Sequence, residues 1–278
     1  MSQNSFESNC DCACKPPQYV MMPFRMEMDV SKLPASCACD GMQLPRDLYV
    51  SKTGDDTNDG FTPETAFATI QAAVSSTKRF VKTGAVLTIH VASGTYNETV
   101  EIEFETGVYS PLKIQGDATN YPTVIGRYIN ATNLGILSCQ HIHFHSKGAH
   151  GFAANYGVNF YVSDCRVTGE NTSYAFGTSP NSYMVVGDNV TVNGSFLRIF
   201  SCALNSTMRI SGENVTLNGT VSTATANAFI GGVIQVTKAI GGTVTGKRYL
   251  SQQMGIIIGS TYLPGTVNGT TETGGMAF

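Results

Sequence analysis

The chain has 278 residues, a formal net charge of -3 and only 13% charged residues, whereas glycine is abundant at 29 residues. A charge balance this close to neutral argues against a protein that binds nucleic acid through a basic surface. The sequence also has no apolar run long enough for a membrane-spanning helix, and its first residues lack the features of a signal peptide.

Cysteines are concentrated near the start of the chain. We expect the protein to fold in a cytosol, where its eight cysteines are reduced, buried or metal-bound rather than joined in a disulfide framework. Thiolates suit zinc in a tetrahedral site, although the single-residue spacing here differs from that of common zinc modules. Disulfides formed after cell lysis, packing against a partner and an incidental place in a flexible tail are the alternatives. The candidate ligands are Cys10, Cys12, Cys14, Cys37 and Cys39.

The same segment, residues 1–46, is rich in methionine and proline and shows no clear periodicity. Methionine packs adaptably against irregular surfaces, and this segment is unable to bury itself. We therefore interpret it as an extended arm that orders against a partner protein; the alternative is a flexible terminus. The side chains expected to dock are Met21, Met22, Phe24, Met26 and Met28.

Residues 47–90 combine a strand, a polar loop and a helix. The apolar run at residues 48–50 predicts a short strand, and the turn-rich loop of residues 53–60 follows it. Thr62 is a suitable N-cap and Pro63 suits the first helical position, which predicts a helix over residues 63–77. Apolar residues recur at helical spacing along it. We expect the apolar face of this helix to cover the first turn of the structure that follows.

Residues 91–246 contain an internal repeat. The segment Gly187–Ser195 returns one repeat later as Gly212–Thr220, Cys165–Gly169 aligns one step earlier, and Thr243–Gly246 is a looser copy. One further step back places Ile142 opposite Val167. A fixed period of about 25 residues, with two-residue alternation bounded by glycine and asparagine, predicts stacked strands. We predict an all-β parallel β-helix of about six or seven coils, with asparagine ladders at equivalent turns.

Two segments resemble a known family. The entry sequence between Leu48 and Ala73, LYVSKTGDDTNDGFTPETAFATIQAA, is similar to that of right-handed, single-stranded parallel β-helix proteins of the pectate-lyase-like type, especially bacteriophage tail-fibre and tailspike proteins. The sequence LPGTVNGTTETGG, between Leu263 and Gly275, resembles the closing segment of small phage β-helix tail proteins. The resemblance covers residues 47–278.

The resemblance implies a virion protein that assembles in the bacterial cytoplasm, usually as a homotrimer. Its partners would be other tail or baseplate proteins, further copies of itself and a host surface glycan. The expected divisions are an anchoring arm (1–46), an entry strand with its capping helix (47–90), a β-helix (91–246) and a closing segment (247–278). The fold carries lyases, hydrolases, adhesins and inert rods, so it does not decide the activity.

A run of histidines is the second candidate metal site. Strand alternation places His141, His143 and His145 on one face, with Ile142 and Phe144 on the other. The resemblance to trimeric phage fibres, which use such pairs to bind iron on a three-fold axis, implies an iron site. The alternative is a polar ladder, solvated or between subunits.

The loop at residues 55–60 and two repeat positions carry the remaining candidates. Asp55, Asp56 and Asp59 have carboxylates at a spacing that suits Ca²⁺, with an Asx-rich turn as the alternative. Asp188 and Glu213 occupy equivalent repeat positions, so they stack about 5 Å apart, a separation that suits a retaining glycosidase. Solvated turn carboxylates are the alternative.

These patterns support three hypotheses of function. The first is a structural virion component, such as a tail spike, fibre or tail adaptor, with a part in host-cell attachment. The second is a capsule or lipopolysaccharide depolymerase, a hydrolase or lyase on the same fold. The third is a glycan-binding adhesin without catalysis. The absence of tryptophan weakens the case for an extended sugar-binding groove, although tyrosine and phenylalanine can substitute for it.

Overall fold

The computed structural model describes residues 20–22, 25–27, 47–79, 85–104 and 111–278. The chain divides into two units, residues 1–44 and residues 45–278. In the first unit, β1 (Val20–Met22) and β2 (Arg25–Glu27) form an antiparallel pair with Val20 opposite Glu27. The candidate cysteine ligands lie outside the described residues, and so do the side chains expected to dock on a partner. These are Cys10, Cys12, Cys14, Cys37 and Cys39, and Met21, Met22, Phe24, Met26 and Met28.

Within its described residues, the second unit consists of two parallel sheets. Sheet 1 has ten strands: β3 (Asp47–Val50), β4 (Leu87–Val91), β7 (Leu112–Gly116), β10 (Ile136–Gln140), β13 (Asn159–Ser163), β15 (Tyr183–Val186), β17 (Thr207–Ile210), β19 (Val233–Val236), β22 (Ile256–Ile258) and β24 (Met276–Ala277). Sheet 2 has twelve: β5 (Thr95–Tyr96), β6 (Val100–Glu103), β8 (Thr123–Gly126), β9 (Ile129–Thr132), β11 (His143–Ser146), β12 (His150–Ala154), β14 (Arg166–Thr178), β16 (Thr191–Ala203), β18 (Thr216–Phe229), β20 (Val244–Thr245), β21 (Tyr249–Gln252) and β23 (Thr270–Glu272).

The strands wind into a right-handed parallel β-helix of about 8 turns, slightly more than the six or seven predicted. Equivalent positions of sheet 1 pair from turn to turn at nearly constant spacing along the chain; they include Ile89, Ile114, Cys139, Val162 and Val186. All five side chains are buried. Each turn therefore pairs its backbone with its neighbours and adds one apolar layer to a continuous core.

The predicted repeat is confirmed in its central part and wrong at one step. Val192 pairs with Leu217 and Gly194 with Gly219, as the constant offset requires. Val167, however, pairs with Phe144 rather than with Ile142. The solenoid turn from Phe144 to Val167 is shorter than the turn from Val192 to Leu217, so the constant period fails there.

Aromatic and sulfur-containing side chains fill the core. The Phe176 ring stacks between Phe152 and Phe200, with centroid distances of 5.8 and 5.7 Å. Cys139, Cys165 and Cys202 lie within the repeat region, and the sequence therefore predicts that they fill the core. All three are fully buried and free, which confirms this prediction. Burial raises the pKa of Cys165 to about 12 and that of Cys202 to about 11, so these thiols stay protonated near neutral pH.

The helix predicted over residues 63–77 is divided into shorter pieces. Thr62 does cap a turn with Pro63 at its start, but that turn is a 3-10 helix over Pro63–Thr65. Phe67 then forms a bridge with Val50 of β3, which holds the chain extended. The α-helix α1 (Ile70–Ser76) begins after this bridge, and a 3-10 turn, Thr77–Arg79, follows it.

Helix α1 covers the first turns of the solenoid, as predicted. Its buried residues Ile70, Ala73 and Val74 belong to the same core as the strands, and the helix packs on β3, β4 and β6. The apolar residues at the open start of the core are thereby removed from water, and this packing stabilises a helix too short to form by itself.

Candidate functional site

An asparagine ladder runs along the turns that lead from sheet 1 to sheet 2. Asn214 Nδ2 donates to Asn189 Oδ1 over 3.1 Å, and Asn189 Nδ2 donates to Asp164 Oδ1 over 2.8 Å. The three residues have left-handed backbones, with φ of 57, 53 and 51°. A second ladder joins Asn218 Nδ2 to Asn193 Oδ1 over 3.0 Å. The predicted ladders are therefore present, and these amides serve the fold.

The weak catalytic candidates Asp188 and Glu213 lie in adjacent turns of the same edge. Asp188 Oδ1 accepts the backbone amide of Glu213, and Glu213 Oε1 lies 2.8 Å from Lys238 Nζ. Both residues are exposed. Each carboxylate thus has a structural partner, and their role in catalysis stays a prediction.

The histidines of β11 lie on one face, as alternation requires, while Ile142 and Phe144 are fully buried. His143 Nε2 and His145 Nδ1 lie 3.0 and 2.9 Å from the same hydroxyl, that of Thr168. Burial, followed by the charge of Arg166, lowers the pKa of His143. This arrangement is a polar ladder across neighbouring strands.

His141 lies before β11, outside the strand that carries His143 and His145. It lies in a turn with φ of 56°, and its ring packs against Tyr121 at 5.4 Å. Across the parts of the chain that the structure describes, no set of three or more histidine, cysteine or acidic side chains is arranged to hold a metal. An iron site made by His141, His143 and His145 of several subunits stays a prediction.

The acidic loop is organised by its own hydrogen bonds. Asp56 Oδ1 accepts the amides of Ala68 and Thr69, both at 2.9 Å. Asp59 accepts the Thr65 hydroxyl and the Phe61 amide, and these two hydrogen bonds lower the pKa of its carboxyl. Asp55 Oδ1 accepts the backbone amide and the hydroxyl of Thr57, and these hydrogen bonds lower the pKa of the Asp55 carboxyl. The loop therefore forms the Asx-rich turn that is the alternative to a calcium site, and its carboxylates hold the entry segment against the start of α1.

Glu98 completes this N-terminal cap. Its two carboxylate oxygens accept the amides of Ile70 and Gln71, over 2.9 and 2.8 Å, at the start of α1. Burial raises the pKa of Glu98, whereas the two amides act in the opposite direction. Nothing in the local sequence marks this residue, because its partners are 28 and 27 positions away.

A cleft of about 300 Å³ lies beside the first turns, where the entry segment meets sheet 1. The rings of Tyr49 and His90 stack there at 5.1 Å, and His90 Nε2 lies 3.1 Å from Asp47 Oδ1. Gln115 and Asp117 line the same cleft. It therefore combines an aromatic ring with an imidazole, an amide and a carboxylate, groups that suit a ligand rich in hydroxyls.

Sequence reasoning missed this cleft, although it identified the strand that carries Tyr49. Tyr49 and His90 are register partners in β3 and β4, and they are much further apart along the chain than one repeat of the solenoid. A second depression, of about 400 Å³ on sheet 2, is lined by Asn171, Ser195, Thr220 and their neighbours and contains no ionisable side chain.

The fold thus defines the chain as a right-handed parallel β-helix with a capped first turn. No protein-family model, curated protein or solved structure significantly matches the sequence or the structure. Within the described residues, no helix is long and apolar enough to cross a membrane.

Proposed function

We propose that this chain is a structural component of a bacteriophage virion: a short tail spike, fibre or tail adaptor that attaches through residues 1–46. The observation that carries the proposal is that the entry segment, which resembles the entry segment of those proteins, builds the cap of the solenoid. Asp56 and Asp59 of that segment, with Glu98, organise the cap of a continuous stack. A stacked core of this kind is rigid, which suits a structural part of a virion.

The contacts of Asp188 and Glu213 favour the structural role over a depolymerase. Asp188 caps a backbone amide and Glu213 pairs with Lys238, whereas glycosidase chemistry needs two carboxylates free to face one bond. If the chain is nevertheless a depolymerase, the purified protein clears host lawns, and Asp188→Asn with Glu213→Gln abolishes the clearing.

The virion proposal is tested by mass spectrometry of purified particles of the phage that encodes this chain. We expect its peptides in the particles at a fixed ratio to other tail proteins. Complementation with a chain that lacks residues 1–46 is expected to leave particles without it, while the full chain restores it. Particles that lack the polypeptide in the presence of the full gene would contradict the proposal.

The cleft at Tyr49 favours a second candidate function, a glycan-binding adhesin. In this case the purified chain binds host cells without releasing sugar products. Tyr49→Ala removes the aromatic wall and is expected to weaken binding at least tenfold, because ring stacking is a main source of affinity for sugars. Tyr262→Ala is the matched control, since Tyr262 is an exposed tyrosine outside the cleft. Equal binding by both variants would exclude the cleft as the site.

A further inference from the structure

A column of aromatic and cationic side chains follows the solenoid axis on sheet 2. Consecutive strand partners form it, and they are His150, Tyr174, Arg198 and Ala224, with Lys247 next by the register of β18 and β21. Ala224 is fully buried, and the other four side chains are partly exposed. We name these five residues the outer column. It presents two rings, a guanidinium, a methyl group and an ammonium group in successive turns.

Positive charge around the outer column has no acidic partner. Six successive segments of this side contain four cations and no acidic residue: the segments are 127–132, 150–155, 172–178, 196–203, 221–229 and 247–252, and the cations are Arg127, Arg198, Lys247 and Arg248. The ion pairs between described residues involve other side chains. Glu101 and Glu103 lie one turn before these segments, where they accept hydrogen bonds from Tyr128 and Asn133, and Glu272 lies one turn after them. A chain of net charge -3 thus carries a local surplus of positive charge.

Arg198 is held by the face of its guanidinium, while most of its hydrogen-bond donors are unused. Its Cζ lies 5.6 Å from the centre of the Phe229 ring, and Tyr174 is its partner in the turn before. A guanidinium has five N–H donors. Within the described residues, Nη1 contacts the Ser201 hydroxyl at 3.4 Å, whereas Nε is buried without a partner.

The ring contacts of Arg198 therefore explain its position and leave its charge unbalanced. Burial lowers the pKa of Arg198, so the folded chain disfavours the charged form relative to water. A partly buried cation costs free energy unless an opposite charge or hydrogen-bond acceptors compensate it. The described chain supplies no such carboxylate on this side, which points to an external anion.

We propose that the outer column binds an oxyanion, that is, a phosphate or carboxylate group, between Arg198 and Lys247. Only the methyl group of Ala224 lies between these two positions. Two strand spacings separate their backbones by about 10 Å, so two long side chains can meet over Ala224. The Nη groups of an arginine offer parallel donors to an oxyanion, and a lysine adds a mobile point charge. This site lies on a different sheet from the Tyr49 cleft, and it does not depend on the virion proposal.

The proposal is tested by isothermal titration of the full chain, with inorganic phosphate in one arm and acetate in the other. Ionic strength is held low and constant with sodium chloride, because salt screens such contacts. We expect at least one probe to bind, and the tighter one identifies the type of oxyanion. Arg198→Gln keeps most of the side-chain length without the charge and is expected to weaken binding at least tenfold. Arg209→Gln, at an exposed position of sheet 1, is the matched control and is expected to bind like the wild type.

A second variant keeps the test valid if the loss of the Arg198 contact with Phe229 destabilises the fold. Lys247→Gln removes the other cation and is expected to weaken binding several-fold, with an unchanged β-sheet circular dichroism. Failure of both probes to bind the wild type overturns the proposal. Folded Arg198→Gln and Lys247→Gln variants that bind as tightly as the wild type overturn it as well. Tyr49→Ala is expected to leave the affinity for the probe unchanged, so this site and the cleft are tested separately.

Discussion

Asn214 lies one solenoid turn from Asn189, and the side-chain Nδ2 of Asn214 donates to Oδ1 of Asn189 over 3.1 Å. Asn189 in turn donates to Asp164 over 2.8 Å. Because asparagine tolerates a left-handed backbone and can both donate and accept, one residue type meets the two needs of these turns. The ladder ties the turns together at an edge where side chains are open to water.

Asn189→Ala and Asn189→Gly distinguish the contribution of the side-chain hydrogen bonds from that of the left-handed backbone. Both variants lose two side-chain hydrogen bonds, each contributing about 0.5–1.5 kcal/mol, but alanine also carries the left-handed penalty of about 1 kcal/mol. We expect a loss in the free energy of unfolding of about 2–3 kcal/mol for alanine and less for glycine, measured by urea denaturation. Equal losses would show that the backbone conformation contributes nothing.

The cap at Glu98 gives a second prediction. Glu98→Ala leaves the amides of Ile70 and Gln71 without acceptors, and hydrogen bonds to a charged group contribute about 1.5–3 kcal/mol. We expect Glu98→Ala to lower the free energy of unfolding by about 2–3 kcal/mol and Glu98→Gln, which keeps one acceptor oxygen, to lower it by about half as much. Glu64→Ala, at an exposed position in the preceding 3-10 turn, is the control and is expected to change it by less than about 0.5 kcal/mol. A loss of that small size for Glu98→Ala would argue against the cap.

The central turns are predictable from the sequence because their requirements are local and repeated. Val192 and Leu217 face inward in paired strands, and each is followed by Asn-Gly. Turns of equal length and composition then appear in the sequence as a period. The repeat also predicts that Cys139, Cys165 and Cys202 fill the core, since all three lie within residues 91–246.

The features that the sequence misses depend on partners far along the chain. Phe67 bridges to Val50 and so interrupts the helix that the capping signal at Thr62 predicts. Tyr49 meets His90 because β3 pairs with β4, although the entry loop and α1 separate the two strands along the chain. Side-chain pairings across insertions of this kind leave no periodic signal.

The phenylalanine stack gives a prediction about the core. Phe176 is fully buried between Phe152 and Phe200, so Phe176→Ala removes contacts on both sides and leaves a cavity. We expect the free energy of unfolding to fall by about 3–5 kcal/mol, and Phe176→Leu to cost less because it refills part of the volume. Tyr262→Ala, at a 45% exposed position, is the control. A small loss for Phe176→Ala would mean that neighbouring turns collapse into the space.

The outer surface of sheet 2 gives a prediction about pH. The His150 ring stacks on Tyr174 at 4.3 Å and faces Tyr128 at 6.4 Å. Burial lowers the pKa of His150, and the charge of Arg127 adds to this effect, while a hydrogen bond with the backbone of Ala149 opposes it. The folded state therefore favours the neutral ring, and the unfolded state takes up the proton first as the pH falls below about 6.5. The contribution of the neutral His150 ring to stability is fully present above that pH and declines below it.

His150→Phe keeps an aromatic ring against Tyr174 and removes the titration. We expect the melting temperature of the wild type to fall more than that of the variant between pH 7.5 and pH 5.5, when both are measured by circular dichroism. This window lies above the range in which Asp55 and Asp59, whose pKa values are lowered, change their charge. Glu98, with its raised pKa, is common to both proteins and cancels in the comparison. Identical pH dependence in the two proteins would show that His150 is equally protonated in the folded and unfolded chains, because only a difference in proton uptake between the two states can link its charge to stability.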